Sequence, residues 1–239
     1  MTSTDPWSWA DDQLVSFNLV RGRSPVDLLR VYDADPAGAR RMTRQESDAA
    51  FGLPDEGTVL RVGRAGVWSF CFENWLPVGF DPGLLERLSA GTDTVHYFRN
   101  PKGGRYVTHL RDGRSLERFE LGMPPAPSDE VPLGLHRAFH QRTDGMKQDP
   151  DPAFRHHALC EVLSELVGVR LDSPLLNGPL LTVLRPSGPL GHATRSSAAH
   201  GNGPASPPPA GGPGRRGLGK PLGFLVPGNP DAPNGNDVA

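Results

Sequence analysis

Lysine is almost missing from this chain of 239 residues: only Lys102, Lys147 and Lys220 occur, and every other basic residue is arginine. Cysteine is nearly as scarce. Cys71 and Cys160 are the two present, neither in a CxxC spacing. That excludes a disulfide framework and points to a reduced, cytoplasmic protein. Net charge is close to zero, formally −2, so nothing global favours nucleic acid or an anionic membrane as partner. No run approaches the ~18 apolar residues of a membrane helix. The opening MTSTDPWSWADDQ is acidic and lacks an apolar stretch, so a secretory leader is not expected. The common catalytic signatures are missing as well: no GxSxG elbow, no GxxxxGK[ST] loop and no HExxH helix. Gly63 and Gly66 in VGRAG suit a hairpin turn, with no helix following to bind phosphate.

Glycine and proline are abundant, 29 and 26 residues, and they crowd the C-terminal end. With the arginine bias they indicate a GC-rich coding sequence. From residue 185 to 239, Gly, Pro, Ala and Ser dominate. Such a segment cannot bury enough apolar surface to offset the entropy of ordering it, so a disordered tail is expected there. Residues 7–184 are expected to form one domain.

Within that domain the patterns alternate between periods. SFNLVRG reads as a strand. SPVDLLRVYDA begins with Ser24 as a cap and Pro25 at the first helical position. TRQESDAAFG carries a capping box, Thr43 with Glu46, and stops at Gly52. GTVLRVGRAGVWSFCFEN reads as a hairpin turning around Arg64, Ala65 and Gly66, and DPGLLERLSAG as a short helix. DTVHYFRN, GRYVTHLR and RSLERFEL then form a three-strand meander, its last turn set by Asp112-Gly113. Two helical stretches follow, PLGLHRAFHQR and PAFRHHALCEVLSELVG, the second with a stripe of Phe154, Ala158, Val162 and Leu166. The sum is an α+β fold: a mostly antiparallel sheet of about six strands, a hairpin plus a meander, with helices over one face.

The least ordinary stretch is VWSFCFENWLPVGF, residues 67–80. Extended, it aims Trp68, Phe70 and Phe72 at the helix-covered core and leaves Ser69, Cys71 and Glu73 on the other face. Glu73 is the first polar group past the aromatic run. The bland expectation is an ion pair to Arg61, Arg64 or Arg99. The sharper one is a ligand pocket made of Glu73, Asn74, Trp75, Arg99 and Asn100.

Metal binding is weighed at His136/His140 and His156/Cys160, each pair four apart on a helix. The first pair lies one step from Leu135 and Phe139 towards solvent, so surface histidines are expected and no metal or cofactor. A single-strand nucleic-acid surface is weighed at Arg99, Lys102, Arg105, Arg111, Arg114 and Arg118 with Tyr97, Phe98 and Tyr106 interleaved. Asp112, Glu117 and Glu120 interrupt it and no RNP-like motif accompanies it, so no nucleic acid is expected.

FNLVRG (17–22), GVWSFCFENWLPVGF (66–80), LSAGTDTVHYFRN (88–100) and DGRSLERFE (112–120) occur in an order that resembles an actinobacterial family of unknown function. LVGVRLDSPLLNGPLLTV (166–183) matches that family's later segment. The Arg expected after the last meander strand is missing from LGMPPAPSDEVPLGL. The resemblance implies a cytoplasmic actinobacterial source and a domain of about 7–184; it implies no activity and no catalytic residues. The leading expectation is therefore a non-enzymatic binding module with an unidentified protein partner and no membrane contact. The alternative is a small-ligand binder or enzyme using a pocket near Glu73.

Overall fold

A computed structural model describes residues 6–7, 9, 14–52, 57–74, 76–123, 134–143 and 152–188. All of them fall within one compact unit, Met1–Arg195. The tail expected over 185–239 lies outside the described residues beyond 188.

Eight strands form one sheet: β1 (Val15–Arg21), β2 (Arg40–Met42), β3 (Thr58–Ala65), β4 (Trp68–Asn74), β5 (Asp93–Arg99), β6 (Arg105–Arg111), β7 (Arg114–Glu120) and β8 (Leu180–Arg185). Their order is β2-β8-β3-β4-β1-β5-β6-β7. Every described pairing is antiparallel. The class expected from the sequence holds, but the count of about six falls short by the two strands β2 and β8. β2 is three residues long and largely exposed, too short to carry a period. β8 lies where the Gly/Pro-rich composition begins, and it runs through Arg185, one residue beyond the expected domain edge.

Local chemistry explains the elements that were legible. α1 (Pro25–Val31) starts at Ser24, whose hydroxyl accepts from the Asp27 N–H. α2 (Arg44–Phe51) has the full Thr43/Glu46 capping box. Asp81 caps α3 (Pro82–Ser89), and Asp172 caps the short α6 (Ser173–Asn177). Asp112 and Gly113, both at positive φ, turn β6 into β7, as the mirror-image two-residue turn requires. The β3–β4 turn sits one residue later than expected, at Gly66-Val67, because Ala65 still pairs with Trp68.

Helices cover both faces of the sheet, a correction to the expectation of one. On the first face Phe17, Phe70, Phe72, Val95, Tyr97 and Phe119 pack with α4 (Gly134–Thr143), α5 (Pro152–Val167), α6 and the tryptophans Trp7 and Trp9. The Phe70 ring lies over Gly63, its cross-strand partner, where an added Cβ would meet Phe70 Cζ at 2.4 Å. On the second face Val20, Leu60, Val62 and Cys71 pack under α1 and α3. α5 buries Ala158, Leu159, Val162, Leu163 and Val167, whereas Leu166, expected in its stripe, is exposed. The Phe154 side chain lies outside the described residues.

Arginine contributes in an unexpected way. Arg61 is buried, donating to the carbonyls of Leu176, Gly178 and Met42. Arg23 donates to Arg87 O and Ala90 O at the end of α3, and Arg185 Nε to Tyr32 O at the end of α1. A planar fork with five donors can hold several carbonyls at a helix C-terminus, where the macrodipole favours a cation; an ammonium cannot reproduce that geometry.

Candidate functional site

Alternation along β1 and β4 builds a polar island within the second face. Ser16 and Asn18 sit opposite the buried Val15, Phe17 and Leu19 by parity. Register then places Ser16 beside Glu73 and Asn18 beside Cys71 on one side, and Phe98 and His96 beside them on the other. α1 lowers Tyr32 onto this row. The loop after β4 closes it.

Glu73 is 0% exposed. Its Oε1 accepts from Ser16 Oγ at 3.0 Å and from the Tyr32 hydroxyl at 2.8 Å. Its Oε2 accepts from the backbone N–H groups of Val78 at 2.7 Å and Gly79 at 2.9 Å. Burial pushes the carboxyl above its ordinary range, while the four donors pull the other way. Burial also pushes up the Tyr32 hydroxyl and the Cys71 thiol. Asn18 Nδ2 donates to Tyr32 OH at 2.8 Å and to Gly79 O at 3.3 Å, so it ties the same loop to the same hydroxyl. Gly79 fits so closely that an added Cβ would lie 2.0 Å from Glu73 Oε1.

None of the three arginines proposed as partners reaches this carboxylate. Arg61 pairs in register with Phe72, which puts it on the opposite face, among carbonyls. Arg64 is exposed and donates to Gly66 O. Arg99 is the cross-strand partner of Val15, again on the first face. Of the five expected ligand residues, Glu73 is thus an internal fastener. Asn100 Oδ1 accepts from Gly104 N and shapes the β5–β6 turn. Arg99 and Glu73 do not converge. Trp75 and the Asn74 side chain lie outside the described residues.

Ser16, Asn18, Tyr32 and Gly79 were missed by the sequence reading. The signal for the first two was the S-F-N alternation of β1, which marks a polar face but not that a helix and a loop cover it. Among the described residues, Asn18 Oδ1 and His96 Nε2, on directly paired residues of the island, have no hydrogen-bond partner. Burial and the nearby Arg118 push His96 down to about 3, so its imidazole stays neutral.

The loop that Glu73 holds turns Val78 onto the second-face core and leaves Leu76 and Phe80 exposed. Leu76 is 54% exposed at a positive φ, and Phe80 is 45% exposed. The Phe80 ring packs on Phe98 at 5.1 Å. Leu76 O accepts from Thr58 Oγ1, a second tether at the loop's start.

The other sites weighed from the sequence resolve as follows. His136 is buried, correcting the expectation of a surface histidine; its ring packs on Phe119 and His140. His156 is buried too, with Nε2 3.0 Å from the Tyr97 hydroxyl. Among the described residues no three His, Cys, Asp or Glu side chains converge as a metal site. Tyr97 is buried in the first face rather than displayed between arginines, and Arg111 is paired with Asp93 at 2.7 Å. No helix among the described residues is long and apolar enough to cross a membrane.

The chain belongs to a family of unknown function (DUF6461), whose pattern matches residues 5–178. Neither the curated proteins nor the solved structures include a match to it.

Proposed function

We propose, for this member of a family of unknown function, that the protein is a non-catalytic binding module that engages a protein partner through the loop 76–80. One observation carries the reading: a buried carboxylate uses two of its four hydrogen bonds to fix a surface loop that leaves two large apolar side chains, Leu76 and Phe80, about half exposed. Fixing a loop before association lowers the entropy lost on binding. Exposed aromatic and aliphatic side chains on a rigid support are what recognition hot spots are made of. A catalytic role for Glu73 is disfavoured on the same grounds. A general acid or base must present an oxygen to substrate, and here both oxygens already accept from the chain's own donors.

A second reading keeps the small ligand near Glu73. It rests on Asn18 Oδ1 and His96 Nε2, two unpartnered buried atoms beside the loop, and would involve a neutral polar molecule. As part of the same proposal, the scarcity of cysteine, with Cys71 and Cys160 both buried, fits a reducing compartment, and we assign the protein to the cytoplasm of an actinobacterial cell.

The experiment is site-specific photocrosslinking with benzoylphenylalanine at position 80 or, as control, at Val67, which is more exposed still and lies in the turn just before β4. The expected result is one discrete crosslinked species from position 80. Unlabelled protein should compete it away, and the Leu76→Ala/Phe80→Ala variant should not. Equal, diffuse labelling at both positions overturns the module reading. A metabolite-induced rise in Tm that Phe80→Ala leaves intact and His96→Leu abolishes moves the assignment to the second reading.

A further inference from the structure

Three buried polar side chains with an unmet atom gather at one spot of the second face. Asn18 and His96 stand opposite each other across β1 and β5. Thr94 lies two residues before His96 on the same face, opposite Val20. Asn18 and Thr94 are 0% exposed and His96 is 4% exposed. Among the described residues, Asn18 Oδ1, His96 Nε2 and Thr94 Oγ1 all lack a hydrogen-bond partner. Directly opposite residues of an antiparallel pair stand ~5 Å apart and diagonal ones ~7–8 Å, so one small molecule spans all three. A buried polar atom left unmet is costly, and a cluster of them marks a place where something else supplies the bonds.

What that molecule must offer follows atom by atom. Asn18 cannot exchange the two ends of its amide. Nδ2 faces Gly79 O, which only accepts, so Oδ1 is fixed as an acceptor in want of a donor. The His96 imidazole is neutral, and in its Nδ1–H tautomer Nε2 is a second acceptor. The Thr94 hydroxyl can donate. The complement is therefore two donors and one acceptor on an uncharged group, and a primary carboxamide carries that set in one plane. Beside the three atoms an aromatic stack leads outward. The His96 ring lies on half-buried Phe98 at 6.1 Å and 24°, and half-exposed Phe80 lies on Phe98 at 5.1 Å. Those are spacings at which rings attract. A single water offers the same donors and acceptor, but it has no ring for that stack.

We infer that Asn18, His96 and Thr94 bind the carboxamide head of a small neutral aryl amide whose ring takes the place of Phe80 on Phe98. This rests on the second reading above, a small ligand near Glu73, and names its class. The amide NH2 donates to Asn18 Oδ1 and His96 Nε2, and the amide oxygen accepts from Thr94 Oγ1. A few convergent polar groups at the inner end of an apolar, aromatic wall is the usual make-up of a small-molecule site. Moving the Phe80 ring leaves the tethers of the loop at Leu76, Val78 and Gly79 intact.

Benzamide is the probe, tested on the full chain. Benzoate, which lacks the donors and carries a charge, and acetamide, which lacks the ring, are the controls. At about tenfold its Kd, benzamide should raise Tm by roughly 3–6 °C and show nuclear Overhauser contacts from its ring to Phe98; neither control should. Thr94→Val removes the hydroxyl and keeps the shape. It should leave the unliganded Tm unchanged or higher, because an unmet group is gone, and weaken benzamide at least tenfold. Phe80→Ala should bind benzamide as tightly as the wild type or more so. No benzamide shift in the wild type overturns the inference and leaves water alone at the three atoms. Equal benzamide affinity in wild type and Thr94→Val overturns it too. A metabolite that protects the wild type but not His96→Leu, where benzamide protects neither, overturns the carboxamide class and leaves the small-ligand reading standing.

Discussion

Replacing Glu73 by glutamine and by leucine separates two accounts of this buried acid. If its charge is what matters, both changes should be about equally costly. If its acceptor geometry is what matters, they should differ widely. The two oxygens face different kinds of donor. Oε2 faces only backbone N–H groups, which cannot become acceptors; Oε1 faces two hydroxyls, which can. A glutamine can therefore place its carbonyl towards Val78 and Gly79 and its amide towards Ser16 and Tyr32. The loss is then the difference between charged and neutral hydrogen bonds, about 1 kcal/mol. Leucine strands both N–H groups at ~1–3 kcal/mol each, for a total near 4 kcal/mol. In a fold of this size those losses correspond to roughly 2–4 °C and 8–16 °C in Tm. Urea denaturation with exchange at the Val78 and Gly79 amides reads both. Equal losses for the two variants, or a loss under ~1 kcal/mol for leucine, would refute the acceptor account. The pH dependence adds a sign. Because burial raises the native carboxyl value, its contribution is full below the unfolded value and declines as pH rises through the folded one. Glu73→Gln should remove that decline.

Three further outcomes follow from the contacts. Gly79→Ala places a Cβ 2.0 Å from Glu73 Oε1 and 2.5 Å from Ser16 Oγ; it should lower stability by ~1–3 kcal/mol and abolish exchange protection at Val78. His96, held down near 3, makes the wild type lose stability as pH falls from about 6.5, so acid titrations of Tm should be flatter for His96→Leu. Arg61→Lys gives up a fork that reaches several carbonyls, and urea unfolding should register a loss of ~2–3 kcal/mol.

Much of the fold was legible because the relevant forces are local. Capping by Ser24, Thr43 and Asp81, the Asp112-Gly113 turn and the two-residue alternation of β1, β4 and β5 are all fixed by neighbours in sequence. β2 escaped because three residues carry no period, and β8 because its pairing with β3 is set by contacts more than a hundred residues away. The site was half legible. Parity separated Phe70 and Phe72 from Cys71 and Glu73, as found. What parity cannot say is whether a polar face meets water or a second layer, and α1 with the loop decided that. The same gap explains His136, one position from a buried stripe yet buried by Phe119. The arginine expectation failed for a physical reason. Glu73 accepts from four neutral donors and Arg61 donates to backbone carbonyls, so the hydrogen bonds of both buried groups go to neutral partners.

The position of β8 governs how the chain can assemble. It is the last of the described strands in sequence, yet it lies inside the sheet, between β2 and β3. Among the described residues β2 pairs with β8 alone. Until residues 180–185 arrive, β3 shows the nascent chain an open inner edge lined by Val59, Leu60 and Val62, and α2 hangs from a strand with no place to dock. Closing that gap late in synthesis is a long-range, high-contact-order step, and an apolar edge left waiting is a template for pairing with another chain. Chains cut short before Leu180 therefore carry the whole polar island and the Glu73 loop but also an uncapped edge, and are expected to self-associate.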